Sequence, residues 1–200
     1  ARVATIGLAG ENLSLISGIS NDRGRIAARS GLGAVMGSKK LKAVVLKGCK
    51  RIPIANDFEI KRISQKCNRW VQFDIPKWPA ALNGYLGAGI GLLPAQMAID
   101  GFLYKVLNRI WGTCSMNEMS VGMGDSPIKN WKGSNADFGP KKTKSVNSDV
   151  FTACEVVKYH CYSCPLGCGG ICSTTGKYSE THKPEYETVL ALGGLLMNED

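Results

Sequence analysis

Five of the eight cysteines crowd between Cys154 and Cys172, and three of these, Cys161, Cys164 and Cys168, stand in the run CYSCPLGCGGIC. Spacings of two and then three residues let a short loop wrap three thiolates around one corner of a cubane. Thiolate is the ligand that iron–sulfur clusters take. Pro165, directly after a ligand position, suits such a loop. A [4Fe-4S] cluster wants a fourth thiolate, from Cys172, Cys154 or a residue outside this sequence. A structural zinc site is a second reading, although zinc ribbons typically pair two CxxC knuckles and this run has one. A third is that the cysteines are simply buried or joined in disulfides. Disulfide scaffolds are small, secreted and poor in core residues, whereas this chain has 200 residues and 44% hydrophobic content. The crowding favours a metal site and a reducing, cytoplasmic compartment.

Two further stretches carry chemistry. In RGRIAARSGLGAVMGSKKLKAVVLKG, Arg23 to Gly48, the glycines Gly31, Gly33 and Gly37 imitate a dinucleotide loop. Such a loop follows directly from an apolar strand, and what precedes Gly31 is charged and polar. Arg25 and Arg29 ahead of a glycine-rich helix start make an anion-binding corner. The plainer reading is a tight turn leading into a core strand. In KPEYETVLALGG, Lys183 to Gly194, Glu185 and Glu187 sit where a helix should begin, which by itself favours carboxylates. Close to a redox centre, such a carboxylate can instead serve as general acid or base. His160 and His182, the only histidines, read as surface or supporting residues rather than ligands.

The elements that must position these residues form an α+β pattern. Residues 3–8 and Leu41 to Lys47 read as strands, and Leu13 to Ile19 alternates loosely enough for another. Gly33 to Ser38 reads as a short helix. Asp57 is an N-cap for a helix over Phe58 to Phe73, where the apolar positions follow a helical period. Pro76 to Pro94 reads as loop, 95–110 as a helix broken or bent around Gly101, and Gly112 to Pro140 as a long irregular segment. The aromatic residues Trp111, just before it, and Trp131 and Phe138, within it, argue that it is ordered. Glu187 to Met197 reads as helix. The expected organisation is the end of a β-rich domain over 1–50, then a mainly helical domain over 51–200 that carries the cysteines.

The net charge of +9 is dispersed, with local runs at Lys39, Lys40, Lys42, Lys47, Lys50 and Arg51 and at Lys141, Lys142 and Lys144. Neither run has the interleaved aromatics or the module of a nucleic-acid reader, so no nucleic-acid partner is expected. No apolar stretch reaches the ~18 residues of a spanning helix. Ala1 lies in a strand already under way, and the last helical pattern has no clear C-cap. The sequence therefore reads as an internal piece of a longer chain.

Taken together, IGLAGEN (Ile6–Asn12), RIAARSGLGAVMGSKKLKAVVLKG (Arg25–Gly48), CYSCPLGC (Cys161–Cys168) and PEYET (Pro184–Thr188) resemble the aldehyde ferredoxin oxidoreductase superfamily. These are tungsten enzymes with a bis-pterin cofactor, and the four motifs occur in the family's order. The resemblance implies that Arg25, Ile26, Ala28, Arg29 and Ser30 cradle a pterin and its phosphate, with the Ile26 carbonyl towards a bridging Mg²⁺. It implies that Cys161, Cys164 and Cys168 hold three irons of a [4Fe-4S] cluster whose fourth cysteine lies beyond residue 200, leaving Cys172 a bystander. It makes Glu187 the catalytic carboxylate near the tungsten or molybdenum. Many members read RAAGRGG where this chain has RIAARSG, so Ala28 and Ser30 replace glycines.

Trp111 to Trp131 looks most like the catalytic subunit of class II benzoyl-CoA reductases. The leading expectation is reduction of benzoyl-CoA to a cyclic dienoyl-CoA, with oxidation of aldehydes to carboxylic acids as the alternative. The substrate would be an acyl-CoA or an aldehyde, and the partner an iron–sulfur electron-transfer subunit or ferredoxin. Residues 112–127 are the expected wall of the substrate pocket.

Overall fold

The computed structural model describes residues 1–21, 24–93, 101–139, 141–173 and 180–199. Contacts divide the chain into two units, Ala1–Asn56 and Asp57–Asp200.

In the first unit, β1 (Arg2–Thr5), β2 (Ile19–Asn21), β3 (Arg25–Ala27) and β4 (Ala43–Leu46) form an antiparallel sheet in the order β3-β2-β1-β4. Thr5 is paired with both Ser20 and Ala43, so β1 is a central strand. Two short helices, α1 (Leu8–Glu11) and α2 (Leu32–Ser38), pack together beside buried Ile6, Ala34 and Met36. Their closeness depends on glycine: a Cβ on Gly37 would stand 2.0 Å from the Gly10 carbonyl oxygen. The strand read over Leu13 to Ile19 begins only at Ile19. The residues before it are spent in turns, where Ser17 N donates to Ser14 O and Leu13 takes φ 58°.

The second unit opens with α3 (Asp57–Gln72), none of whose residues is buried. Asp57 is a first-turn residue of this helix, ion-paired with Lys61, rather than its cap. Then come α4 (Ala81–Gly91), α5 (Gly101–Trp111), a 3₁₀ turn Gly112–Ser115, α6 (Met116–Met123) and α7 (Ser148–Ala153). A three-stranded antiparallel sheet follows, β5 (Glu155–Tyr159), β6 (Gly169–Ser173) and β7 (Glu180–His182), in that order. Last are α8 (Tyr186–Leu190) and a π-helical turn, Ala191–Leu195.

Two stretches read as loop are helical here. Gly84, Gly87 and Gly91 made 76–94 look like loop, yet on α4 they form the face that meets α6. A Cβ on Gly87 would stand 2.3 Å from Met119 O, and one on Gly122 would stand 2.1 Å from Gly84 O. Glycine costs helix propensity, about 1 kcal/mol against alanine, and here that cost is offset by backbone-to-backbone packing. The same contact turns 116–123 into α6. Residues 94–100, the start of the helix read over 95–110, lie outside the described residues, and α5 begins at Gly101.

Two apolar clusters fill this unit. Ala80, Leu107, Trp111 and Met119 form one, with Trp78 edge-on to Trp111 at 5.1 Å between ring centroids. Cys114, Val121, Ile128, Phe138, Val146, Val189 and Leu190 form the other. Trp111 and Phe138 are thus core residues, whereas Trp131 is 67% exposed.

Candidate functional site

The cysteine run is the crown of a hairpin. β5 and β6 pair with Tyr159 opposite Gly169, so residues 160–168 span the gap between the strands. Three features fix this crown. Cys164 N donates to Cys161 O at 3.0 Å, closing a turn in which Ser163 takes φ 57°. His160 Nδ1 lies 3.0 Å from Cys164 O; a carbonyl only accepts, so Nδ1 carries the proton. Gly167, at φ 67°, sits under the His160 ring, where a Cβ would be 2.5 Å from Cε1. From outside the hairpin, Arg109 Nη1 donates to Leu166 O at 3.2 Å while its Nε donates to Asp74 at 2.9 Å. Asp74 is held below the usual carboxylate range chiefly by that hydrogen bond.

All eight cysteines are thiols with no disulfide. Cys161 is exposed and Cys164 and Cys168 are half-buried, whereas Cys114 and Cys172 are buried. Burial pushes both of these thiols up to about 12, aided for Cys172 by its neighbour Cys154. Cys154 and Cys172 both turn towards the Phe151 carbonyl, at 3.2 and 3.6 Å.

The donor set of the crown fits a cluster: three thiols on one braced loop, partly open to solvent, with the buried thiols set apart from them. Among the described residues, no group of three or more His, Cys, Asp or Glu side chains is arranged to hold a single metal ion. A cubane gives each thiolate its own iron, so its ligands stand wider apart than those of one ion.

The far end of the crown and the start of α8 are tied to consecutive residues. Gly112, at φ 72°, admits the Cys168 carbonyl oxygen, which would lie 2.1 Å from a Cβ there. Thr113 Oγ1 donates to Glu185 and accepts from Tyr186 N at 3.3 Å. Cys114 Sγ donates to Pro184 O at 3.0 Å. Glu187 is exposed in the first turn of α8, so it is open to a ligand, and a helix start by itself also favours a carboxylate.

Beneath the crown lies a charged group with no periodic signal in the sequence. Lys183, 4% exposed, donates to Trp111 O at 2.9 Å and to Glu155. Lys158 reaches the other oxygen of Glu155 at 3.2 Å and Ile110 O at 3.4 Å. Burial pulls Lys158 below the ordinary lysine range.

The other candidate residues belong to the first unit. Arg25, in β3, is half-buried, and Ile26, Ala28, Arg29 and Ser30 are exposed. Ser30 takes the left-handed conformation at φ 68° and Gly31 at φ 67°. Such strain in a non-glycine residue concentrates at ligand sites, and an exposed strand-and-turn edge with two guanidinium groups fits a phosphate-bearing cofactor. Gly31, Gly33 and Gly37 are each required by close approach to Leu15, Gly18 or Gly10 backbone. The plainer reading of the glycines, a tight turn, therefore accounts for them without a ligand. Elsewhere α4 and α6 flank a cavity of about 320 Å³ lined by Gly84, Tyr85, Glu118, Val121 and Gly122.

Comparison with known proteins places this arrangement. The model of the aldehyde ferredoxin oxidoreductase N-terminal domain matches residues 1–48, and that of domains 2 and 3 matches residues 103–200. The chain belongs to the aldehyde ferredoxin oxidoreductase family. It is similar to the tungsten-containing aldehyde ferredoxin oxidoreductases of Pyrococcus furiosus and Thermococcus kodakarensis, each 34% identical over 195 residues. That of Pyrococcus abyssi is 29% identical over 196 residues. The matches cover 98% of this chain for the first relative and 27% of that relative's length, so the chain spans about a quarter of the curated proteins it resembles. No helix among the described residues is long and apolar enough to cross a membrane.

Proposed function

We propose that the chain is part of a tungsten-dependent iron–sulfur oxidoreductase that oxidises an aldehyde to a carboxylic acid and passes the electrons to ferredoxin. The observation that carries this reading is the 34% identity, along nearly the whole chain, to enzymes named for tungsten, aldehyde and ferredoxin. It favours the aldehyde reaction over benzoyl-CoA reduction, for which the Trp111 to Trp131 likeness is the sole support.

The overall reaction consumes an aldehyde and water and releases a carboxylic acid, two protons and two electrons. When bound, the tungsten bis-pterin supplies the two-electron couple for it. Cys161, Cys164 and Cys168 hold three irons of the [4Fe-4S] cluster on the hairpin crown. Arg25 and Arg29 pair with the pterin phosphate, where charge-assisted bonds are strongest. Ile26 offers its carbonyl to Mg²⁺, and Ala28 and Ser30, on either side of Arg29, shape the turn after β3. Glu187, exposed at the start of α8, accepts one of the protons.

The full-length enzyme, purified without oxygen, is expected to contain tungsten, iron and acid-labile sulfide. It should reduce ferredoxin with an aldehyde and leave benzoyl-CoA unchanged. Benzoyl-CoA turnover without aldehyde oxidation would overturn the reading, and so would iron without tungsten. Replacing Cys161, Cys164 and Cys168 together by serine is expected to abolish the cluster's absorbance and EPR signals. Persistence of those signals would exclude the crown as the cluster's holder.

A further inference from the structure

We propose that Lys183 sets the reduction potential of the cluster held by Cys161, Cys164 and Cys168, through a buried positive charge placed against the Cys168 backbone. The proposal rests on the cluster reading of the three cysteines. A Cβ on Gly112 would stand 2.1 Å from Cys168 O and 2.9 Å from Lys183 Nζ, so the ammonium and the ligand's carbonyl both border the space that one methyl group there would fill. Lys183 N also donates to Gly170 O at 2.8 Å, two residues beyond Cys168. The ammonium is therefore locked to the base of the crown from both its main chain and its side chain.

Its direct charge partner is Glu155, while the Glu185 carboxylate is held apart on Thr113. Glu155 answers Lys183 on one oxygen and Lys158 on the other, so one carboxylate serves two ammonium groups. Arg109, which touches the crown at Leu166, has its charge answered by Asp74. The Lys158–Glu155–Lys183 group thus brings one net positive charge to the foot of the hairpin.

A buried ion pair is seldom worth its desolvation cost for stability alone. Beside a cluster the same charge has a further effect, because reduction adds one electron and a nearby cation in a low-dielectric interior favours the reduced form. In the proposed reaction that electron comes from aldehyde oxidation and leaves to ferredoxin. Lys183 thereby sets how readily the cluster accepts it.

The test is a redox titration of the full-length enzyme, followed by the EPR signal of the reduced cluster. Lys183→Met is expected to lower the ratio of reduced to oxidised cluster about tenfold at a fixed potential, a shift of ~59 mV for one electron. Glu155→Gln, which leaves both lysines, is expected to shift the midpoint by a similar amount in the opposite direction. A purely structural role gives no such reversal of sign. Should Lys183→Met fail to fold, the upward shift in Glu155→Gln decides alone. An intact cluster with an unmoved midpoint, or with both variants shifted the same way, overturns the role of Lys183. A parent enzyme with no iron and no acid-labile sulfide overturns the cysteine reading itself, and the two failures are distinct.

Discussion

Replacing Gly122 by alanine is expected to destabilise the helical unit by about 3 kcal/mol, whereas the same change at Gly89 is expected to be neutral or mildly stabilising. At Gly122 the new Cβ would meet Gly84 O at 2.1 Å and Ala88 N at 3.0 Å. Both are backbone atoms of α4, so neither can swing aside as a side chain would. The helices must separate, and forced overpacking of this kind typically costs ~1–3 kcal/mol. The movement would also disturb Met119, fully buried against Trp111, and Glu118, which lines the cavity between the helices. Gly89 lies on α4, with nothing within 4 Å of its Cβ position. There alanine should recover up to ~1 kcal/mol of helix propensity. Urea unfolding of the two variants measures the contrast. Equal stabilities would show that α4 and α6 do not pack through their glycines.

The second large effect concerns Glu118. It is 3% exposed, and burial raises its carboxyl from an ordinary 4.5 to about 7, while hydrogen bonds from Ser148 pull part of that rise back. Ser148 N donates to Glu118 Oε1 at 2.6 Å. Ser148 Oγ lies 2.5 Å from Cys114 O and 2.6 Å from Glu118 Oε2. A hydroxyl has one proton. Directed at the Cys114 carbonyl, it leaves Oγ free to accept a proton from a neutral Glu118.

The folded protein therefore binds this proton more tightly than the unfolded chain, and between pH 4.5 and 7 the folded state holds more of it. Stability should fall across that window and flatten above it, by roughly 3 kcal/mol in all for a shift of this size. Glu118→Gln keeps both bonds, since its amide accepts from Ser148 N and donates to Ser148 Oγ. It should remove this component and be the more stable form at pH 8. Comparing parent and variant at each pH cancels the histidines. It also cancels Asp74 and Asp137, whose lowered values act at more acidic pH. Parallel profiles for the two proteins would refute the buried neutral acid.

The sequence alone determined the parts whose signal is local. Spacing placed Cys161, Cys164 and Cys168 on one loop, and the order of four motifs identified the family, because such runs are compact and carry their chemistry in residue type. Helical period located α3 within a residue at each end, since an exposed amphipathic helix is written in its own side chains. Tertiary structure decided the rest. Gly84, Gly87 and Gly122 read as loop because glycine's cost is local while its gain, contact between two backbones, is not. Thr5, Ser20 and Ala43 become neighbours only through sheet pairing.

The charge at the foot of the crown was invisible for the same reason. Lys183, Glu155 and Gly112 are far apart in the chain and meet only when the hairpin closes over the end of α5. Cys172 illustrates the division most directly. In the sequence it is the nearest fourth ligand, four positions from Cys168. In the fold its strand turns it inward, where it is buried beside Cys154 against the Phe151 carbonyl.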